Sequence, residues 1–366
     1  SISVSIFMLY RGLSETRFIE DEKGNYSWVD FNKNGKVDRH LSEEFIPSKD
    51  GNYRQATISE TLQNIEWTTQ SFLWLTLAIV FMLLRDLGYI IRIRSLTDNV
   101  LSWKRATWVI FMWEFASALS PGVVGGSVVA MFFLKKEKIA LGKSTAIVMI
   151  TAFLDNLFYV IMVPVLFLFV SQKELFPLQG DSFFTTNTKE LFWVGFSVVV
   201  AVCLLIYLSV FHFSKLIKTV LSWVFSLPYL NRWKKEAVKT GDDVIATSKE
   251  FKTKPKSFWL KSFGGTFLSW SSRFFVVNCI LMIFVNLGWY ENTMVFARQF
   301  VMWLILLVTP TPGGSGMAEY AFQGFFSDFI GSGILVTTMA ILWRLVSYFP
   351  YLFIGSGLLG KFKKNG

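Results

Sequence analysis

Histidine and cysteine are nearly missing. The 366 residues include two of each: His40 and His212, Cys203 and Cys279. A His-based zinc site or catalytic triad is therefore not expected, and no Cys-x-x-Cys spacing offers a metal pair. Both cysteines sit inside apolar runs, which argues against a disulfide framework. Acidic residues are in deficit too: 26 Asp and Glu face 36 Lys and Arg, a formal charge of +10. That surplus lies between long apolar runs, where it sets topology and meets anionic headgroups, so it does not signal nucleic-acid binding. What the chain has in excess is apolar. It is 52% hydrophobic, with 38 Phe, and its mean hydropathy is +0.45. The runs are too long and too many for a signal peptide, so the expected fold class is an all-α polytopic membrane helix bundle.

The opening run, 1–10, is too short to span and is expected to be the end of a first transmembrane helix. Residues 11–68 hold eight Lys/Arg and eleven Asp/Glu and are expected as an extracytoplasmic polar loop. Residues 69–366 then form one transmembrane domain. Full spans are predicted at 70–91, 144–171, 190–212, 258–288 and 331–358, making six with the truncated first. Two more apolar stretches, 107–134 and 299–330, are broken in the middle.

The positive-inside rule decides what the broken stretches are. Basic loops at 92–105, 135–143 and 213–257, and the basic C-terminus, belong in the cytoplasm. The 213–257 loop carries ten Lys/Arg against four acids. Loops 172–189 and 289–298 then fall outside. The assignment holds only if 107–134 starts and ends inside and 299–330 starts and ends outside. Both are therefore predicted as re-entrant helical hairpins. Pairs of short full spans are the alternative, which the charges disfavour. Each break has proline followed by paired glycine: Pro121 with Gly125-Gly126, and Pro312 with Gly313-Gly314. Proline removes a backbone donor and glycine weakens a helix. In lipid, broken backbone survives only where protein or a water-lined cavity satisfies it. The two halves read as inverted-topology repeats, an architecture of secondary transporters. Glycines that merely permit close helix packing are the competing explanation.

The stretch Pro310-Thr311-Pro312-Gly313-Gly314-Ser315-Gly316-Met317-Ala318-Glu319 closely resembles the P-x-P-G-G-x-G-x-x-E signature of the lysylphosphatidylglycerol synthase transmembrane, flippase-like family. Ser120 to Gly126 is similar to that family's earlier element, Asp155 to the acid of its following helix, and Arg344 with Pro350 to the Arg and Pro of its last helix. The resemblance covers roughly 70–366. One position departs: members often carry Arg three residues before the acid, where this chain has Ala152. Full-length synthases carry an aminoacyl-transferase domain after the membrane part. The chain ends at Gly366, just past its last apolar run, so that enzyme is expected to be absent. The resemblance implies lipid translocation in a bacterial cell membrane, not lipid aminoacylation.

Ionisable groups inside apolar spans cost roughly 2.5–3.5 kcal/mol each on insertion scales and face the protein interior. Six qualify: Glu114, Asp155, Arg273, Arg298, Glu319 and Arg344. They allow pairing, for example Arg344 with Asp155 or Glu319. Arg85-Asp86 is expected to snorkel to the inner interface and is left out. One reading is ion pairs that hold the bundle. The other is a polar route for a lipid headgroup through a midplane cavity lined by Pro121, Gly125, Gly126, Asp155, Arg273, Pro312, Gly313, Gly314, Gly316, Glu319 and Arg344. There Arg273 and Arg344 bind phosphate, which guanidinium matches bidentately. Exposed N–H groups after Pro121 and Pro312 add anion sites. Glu319 and Asp155 select a cationic headgroup part or couple protons.

A separate motif, Asp30, Asn32, Asn34, Lys36 and Asp38, matches the first nine positions of an EF-hand-type calcium loop. Position twelve is Leu41, not Glu, and Glu43 and Glu44 come late. Calcium held by a variant loop and a plain Asn-Gly turn both remain open. No other cofactor is expected. Trp and Tyr fit interfacial belts. Membrane phospholipids are the expected partners, with anionic lipid at the basic loops, and a homo-oligomer is left open. Three functions stay in play: a transporter moving a phosphate-bearing lipid between leaflets, an intramembrane enzyme acting on a lipid phosphate, and a non-transporting envelope-assembly scaffold.

Overall fold

The computed structural model describes residues 18–31, 37, 42–55, 67–120, 122–176, 187–227, 229, 231–307, 317–330 and 333–364. Most of them are helical. Helix α1 (Thr69–Leu96) starts at Thr68, whose hydroxyl accepts from the Ser71 N–H. Its 28 residues reach about 42 Å, enough to cross a bilayer core with turns to spare. It stops at Asp98 and Asn99, both in the left-handed region (φ 53° and 58°). The apolar run predicts a span ending at 91 with Arg92 and Arg94 in a loop; the helix instead carries both arginines another turn.

Helix α2 (Trp103–Leu119) and α3 (Gly122–Lys136) fold back on each other. Their open ends are tied by Arg105 and Glu137 at 3.1 Å. Helix α4 (Leu141–Leu166) and α5 (Thr188–Tyr207, extended by a π turn to His212) follow. An amphipathic pair, α6 (Ser214–Val224) and α7 (Lys234–Lys252), leads to α8 (Lys256–Met282). Then come α9 (Trp289–Leu307) and α10 (Met317–Phe326); Arg298, midway along α9, holds the end of α10 by donating to the Phe325 carbonyl (2.8 Å) and to Asp328 (2.7 Å). Helix α11 (Gly333–Ser347) turns at Tyr348 into α12 (Phe349–Lys364).

The central seam is α1 against α8. Ser95 Oγ accepts from Ser262 Oγ at 2.9 Å at one end, and Ser71 Oγ donates to the Ile283 carbonyl at 2.9 Å at the other, so the helices run antiparallel. Gly88 and Gly265 make the approach possible. A Cβ on Gly265 would lie 2.7 Å from the Gly88 carbonyl, closer than real Cβ atoms come. Small residues and serine hydrogen bonds hold helices together where lipid removes the hydrophobic drive.

Four helical segments among the described residues are long and apolar enough to cross a membrane: Thr69–Leu96, Leu141–Leu166, Thr188–His212 and Leu335–Gly357. The last includes the turn at Tyr348. Helix α8 has the length, but Lys261, Arg273 and five serines make it more polar than those four.

The all-α expectation needs one amendment. Within 11–68, strands β1 (Phe18–Trp28) and β2 (Phe45–Gln55) pair antiparallel, Phe18 opposite Gln55 and Trp28 opposite Phe45. Phe18 stacks on Phe45 with ring centroids 4.1 Å apart, and Tyr53 meets Phe45 edge-on at 5.2 Å. These rings are a small core of their own within a segment that is polar by count. The calcium-type motif lies in the connection between the strands. Asn32, Asn34, Lys36 and Asp38 fall outside the described residues. Glu44, one of the late acids, is buried and accepts from Trp28 Nε1 at 3.0 Å.

Candidate functional site

Arg85, Tyr89 and Arg92 recur every three to four residues and so share one face of α1. All three are buried. Arg85 Nη1 donates to Asp86 Oδ1 (3.0 Å) and to Tyr351 Oη (2.7 Å), and Nη2 donates to Glu114 of α2. Tyr351 Oη in turn donates to Asp86 at 2.7 Å. Two helical turns from Arg85, Arg92 Nη1 donates to Asp155 of α4 (2.5 Å) and to Thr266 of α8 (3.1 Å). Trp270 Nε1 donates to the same Asp155 oxygen at 2.7 Å. The Tyr89 ring lies between the two guanidiniums, with carbons 4.9 and 4.8 Å from its centroid. Five helices thus contribute to one chain of polar groups running from Tyr351 to Asp155.

Arg273 of α8 joins that chain differently. Its Nη2 stands 3.7 Å from Glu114, and its guanidinium lies over the Trp270 ring at 5.1 Å. It makes no hydrogen bond to a described residue, and its side chain is 31% exposed. Two further polar atoms lie nearby on α4. Thr151 and Tyr159 flank Asp155 by one turn on either side, and their buried hydroxyls have no hydrogen-bond partner among the described residues. With Arg85, Arg92 and Arg273 set against Asp86, Glu114 and Asp155, the formal charges cancel. That balance lets a bundle in lipid keep six ionisable groups.

A second, smaller pair lies between α10 and α11. Arg344 Nε donates to Glu319 Oε1 at 3.0 Å, both side chains being buried. The Arg344 guanidinium also lies over the Trp343 and Tyr348 rings. Tyr348 Oη reaches back to the Ala118 carbonyl at the end of α2, 3.1 Å away.

The geometry places a charged chain and a separate buried pair inside a bundle of apolar helices, and sequence comparison assigns the bundle. The family described as the lysylphosphatidylglycerol synthase TM region matches residues 54–355. The chain belongs to that family. A UPF0104 membrane protein of Archaeoglobus fulgidus is 24% identical over 311 residues, which is 80% of this chain and 90% of that protein. No solved structure matches.

In this member of the lysylphosphatidylglycerol synthase transmembrane family, the expected site residues separate. Glu319 is paired with Arg344, one of the two pairings the sequence allowed. Asp155 goes to Arg92, not to Arg344. The position three residues before Asp155 is Ala152, and α1 supplies from another helix the guanidinium that position lacks. Arg298 binds Asp328 and closes the α9–α10 pair. Gly125 and Gly126 face Ser120 and Ser117, inside the α2–α3 turn. A cavity of about 370 Å³ opens there, lined by Met112, Phe115, Gly125 and Phe133. Its lining is apolar, and it lies on the face of α2 opposite Glu114. Pro121, Pro312, Gly313, Gly314 and Gly316 lie outside the described residues.

Two readings are corrected. Arg85-Asp86 does not snorkel: Arg85 is fully buried and links α1, α2 and α12. Arg92 is not a loop residue. The signal that finds both is the spacing Arg85, Tyr89, Arg92, a helical stripe that continues past the end of the apolar run. Among the described residues, no cluster of three His, Cys, Asp or Glu is placed to hold a metal.

Proposed function

We propose that this protein moves a phosphate-bearing lipid between leaflets of a bacterial cell membrane, with Arg273 as the phosphate contact. Arg273 carries the reading. It is a guanidinium in the middle of a membrane helix, a third exposed, with no hydrogen bond to a described residue. Five donors in a fixed fork suit a phosphate monoester or diester. Glu114, Asp155 and the hydroxyls of Thr151 and Tyr159 line the same region and would meet the rest of the headgroup. The apolar cavity on the other face of α2 suits an acyl segment. Arg344, held by Glu319, serves as a support for the α10–α11 contact in this scheme.

The two helix pairs act as re-entrant hairpins of inverted repeats. Support comes from the Arg105–Glu137 tie at the open end of α2 and α3, from the Arg298–Asp328 tie between the middle of α9 and the end of α10, and from the antiparallel seam of α1 and α8. An impermeant thiol reagent should reach Lys135→Cys only from the cytoplasmic side; labelling from outside overturns the hairpin.

The functional test is lipid translocation in proteoliposomes, read by dye quenching of a labelled phospholipid. Charged hydrogen bonds contribute about 1.5–3 kcal/mol each, so Arg273→Ala should slow transport by about tenfold or more, while the fold is retained. Folded wild-type protein that moves no phosphate-bearing lipid overturns the reading, and turnover of the lipid phosphate assigns an enzyme instead.

A further inference from the structure

Helix α6 has an apolar face that no other described residue covers. Phe213, Leu216, Val220, Trp223 and Leu227 recur every three to four residues, and all are exposed, Trp223 at 69%. The opposite side is occupied. The Cα of Lys218 would sit 2.9 Å from a Cβ on Gly241 of α7, and its Nζ meets Asp242 at 2.6 Å. Helix α7 in turn is fastened to the bundle. Gly142 of α4 approaches its Thr240 carbonyl, and Glu250 binds Lys143 at 3.1 Å. The apolar face of α6 therefore cannot rotate inward without breaking the α6–α7 contact.

Two observations identify its occupant. First, the face is continuous with a lipid-facing surface. Helix α6 starts directly after the π turn that ends the span Thr188–His212, whose own Val198, Leu204 and Leu205 are exposed. Second, the charge in this segment is mostly positive. Lys215, Arg232, Lys234, Lys235 and Lys239 stand against the single acid Glu236 in 213–240, while Lys218 on the other side is paired with Asp242. Arg232, Lys234, Lys235 and Lys239 are exposed. A strongly amphipathic helix flanked by Lys and Arg, with Trp on its apolar side, lies in the headgroup plane. We propose that α6 lies flat in the leaflet that adjoins the basic 213–257 segment, its Leu216–Val220–Trp223 face among the acyl chains, and that the flanking cations recognise anionic phospholipid. The inference is independent of transport.

The test uses spin labels on the full chain, reconstituted in phosphatidylcholine vesicles with and without phosphatidylglycerol. Labels go at Val220→Cys, Trp223→Cys and, as the polar-side control, Lys215→Cys. Cys203 and Cys279 are buried, and unsubstituted protein gives the labelling blank. With phosphatidylglycerol, labels at 220 and 223 should collide several-fold more with oxygen than with a water-soluble nickel chelate, and the label at 215 should show the reverse. Each cation near an anionic surface contributes about fivefold to partition. Replacing Arg232, Lys234 and Lys235 by Gln should move the 220 and 223 labels toward water. Equal nickel access at 220 and 223 overturns the proposal by showing a solvated face. Shielding from both reagents overturns it in favour of a protein partner or second copy. Oxygen contact unchanged in pure phosphatidylcholine overturns the charge recognition.

Discussion

Arg92 Nη1 donates to Asp155 Oδ1 at 2.5 Å, joining α1 to α4 across 63 residues of chain. The acid also accepts from Trp270 of α8, so three helices meet at one carboxylate. Arg92 sits on the last turns of α1, past the apolar run, and only the continued helix carries it to this contact. From the same stripe Arg85 reaches Glu114 and Tyr351. The charge in this membrane domain is organised by α1, a helix that carries no residue of the family signature.

Arg85 and Arg273, at two places in the polar network, should differ in what they support. Arg85 is fully buried with Asp86, Glu114 and Tyr351 as partners. Its replacement by Ala removes the nearest guanidinium from buried Asp86 and half-buried Glu114 and should cost about 3 kcal/mol. Arg273→Ala gives up a 3.7 Å contact with Glu114 and the stacking on Trp270 of a partly exposed side chain, and should cost about 1 kcal/mol. Thermal unfolding in detergent measures both; equal losses would remove the distinction on which the role of Arg273 rests.

Glu319 and Arg344 should be strongly coupled. Glu319→Ala removes the carboxylate that faces a buried guanidinium and should destabilise by about 3 kcal/mol, while Glu319→Leu combined with Arg344→Met should recover most of the loss. A double-mutant cycle checks this, and additive effects of the two single changes would contradict the buried pair.

Neighbouring glycines on α8 should behave in opposite ways. A side chain at Gly265 meets the Gly88 carbonyl and the Arg92 Cβ, so Gly265→Leu should force α1 and α8 apart and cost about 1–3 kcal/mol. Nothing lies within 4 Å of a Cβ on Gly264. Gly264→Leu should be neutral or stabilising by up to about 1 kcal/mol through helix propensity. Unfolding midpoints of the two variants that move together would refute the close seam.

Stability should fall at both ends of the pH scale through one cluster outside the spans. Lys254 donates to Asp98 at 2.5 Å and lies 3.2 Å from Glu250, and Lys143 binds both acids. Burial alone would push the Asp98 carboxyl up, but the hydrogen bond from Lys254 and the surrounding lysines hold it below the ordinary 3.8. Its contribution is present above that value and is lost as pH falls through the lower folded one. Burial would likewise pull Lys254 down, but its bonds to Asp98 and Glu250 raise it above the ordinary 10.5. That contribution is full below 10.5 and is lost as pH rises through the folded value. Asp98→Asn should flatten the acid arm of a stability–pH curve; an acid arm identical to wild type would sink the assignment.

Some of this was legible in the residues. Apolar runs longer than a bilayer core, separated by basic loops, leave a chain no soluble fold, because lipid accepts only backbone that bonds to itself. The spacing of Pro310, Pro312, Gly313, Gly314, Gly316 and Glu319 marked the family. Glu114, Asp155, Arg273, Glu319 and Arg344 stood out because charge inside an apolar run is costly wherever it points. The β-hairpin was not legible. Its core is three aromatic rings, Phe18, Phe45 and Tyr53, spread through a segment that reads as polar by count. Nor was the choice of ion-pair partners. Which guanidinium meets which carboxylate depends on how helices pack side by side, and sequence spacing sets only the face of a single helix. The chain by itself determined that buried charges exist in equal numbers and that two apolar stretches are broken. Only the tertiary structure gave Arg92 to Asp155 and Arg85 to Glu114, because the glycine-lined approach of α1 to α8 sets the depth and rotation at which those side chains meet.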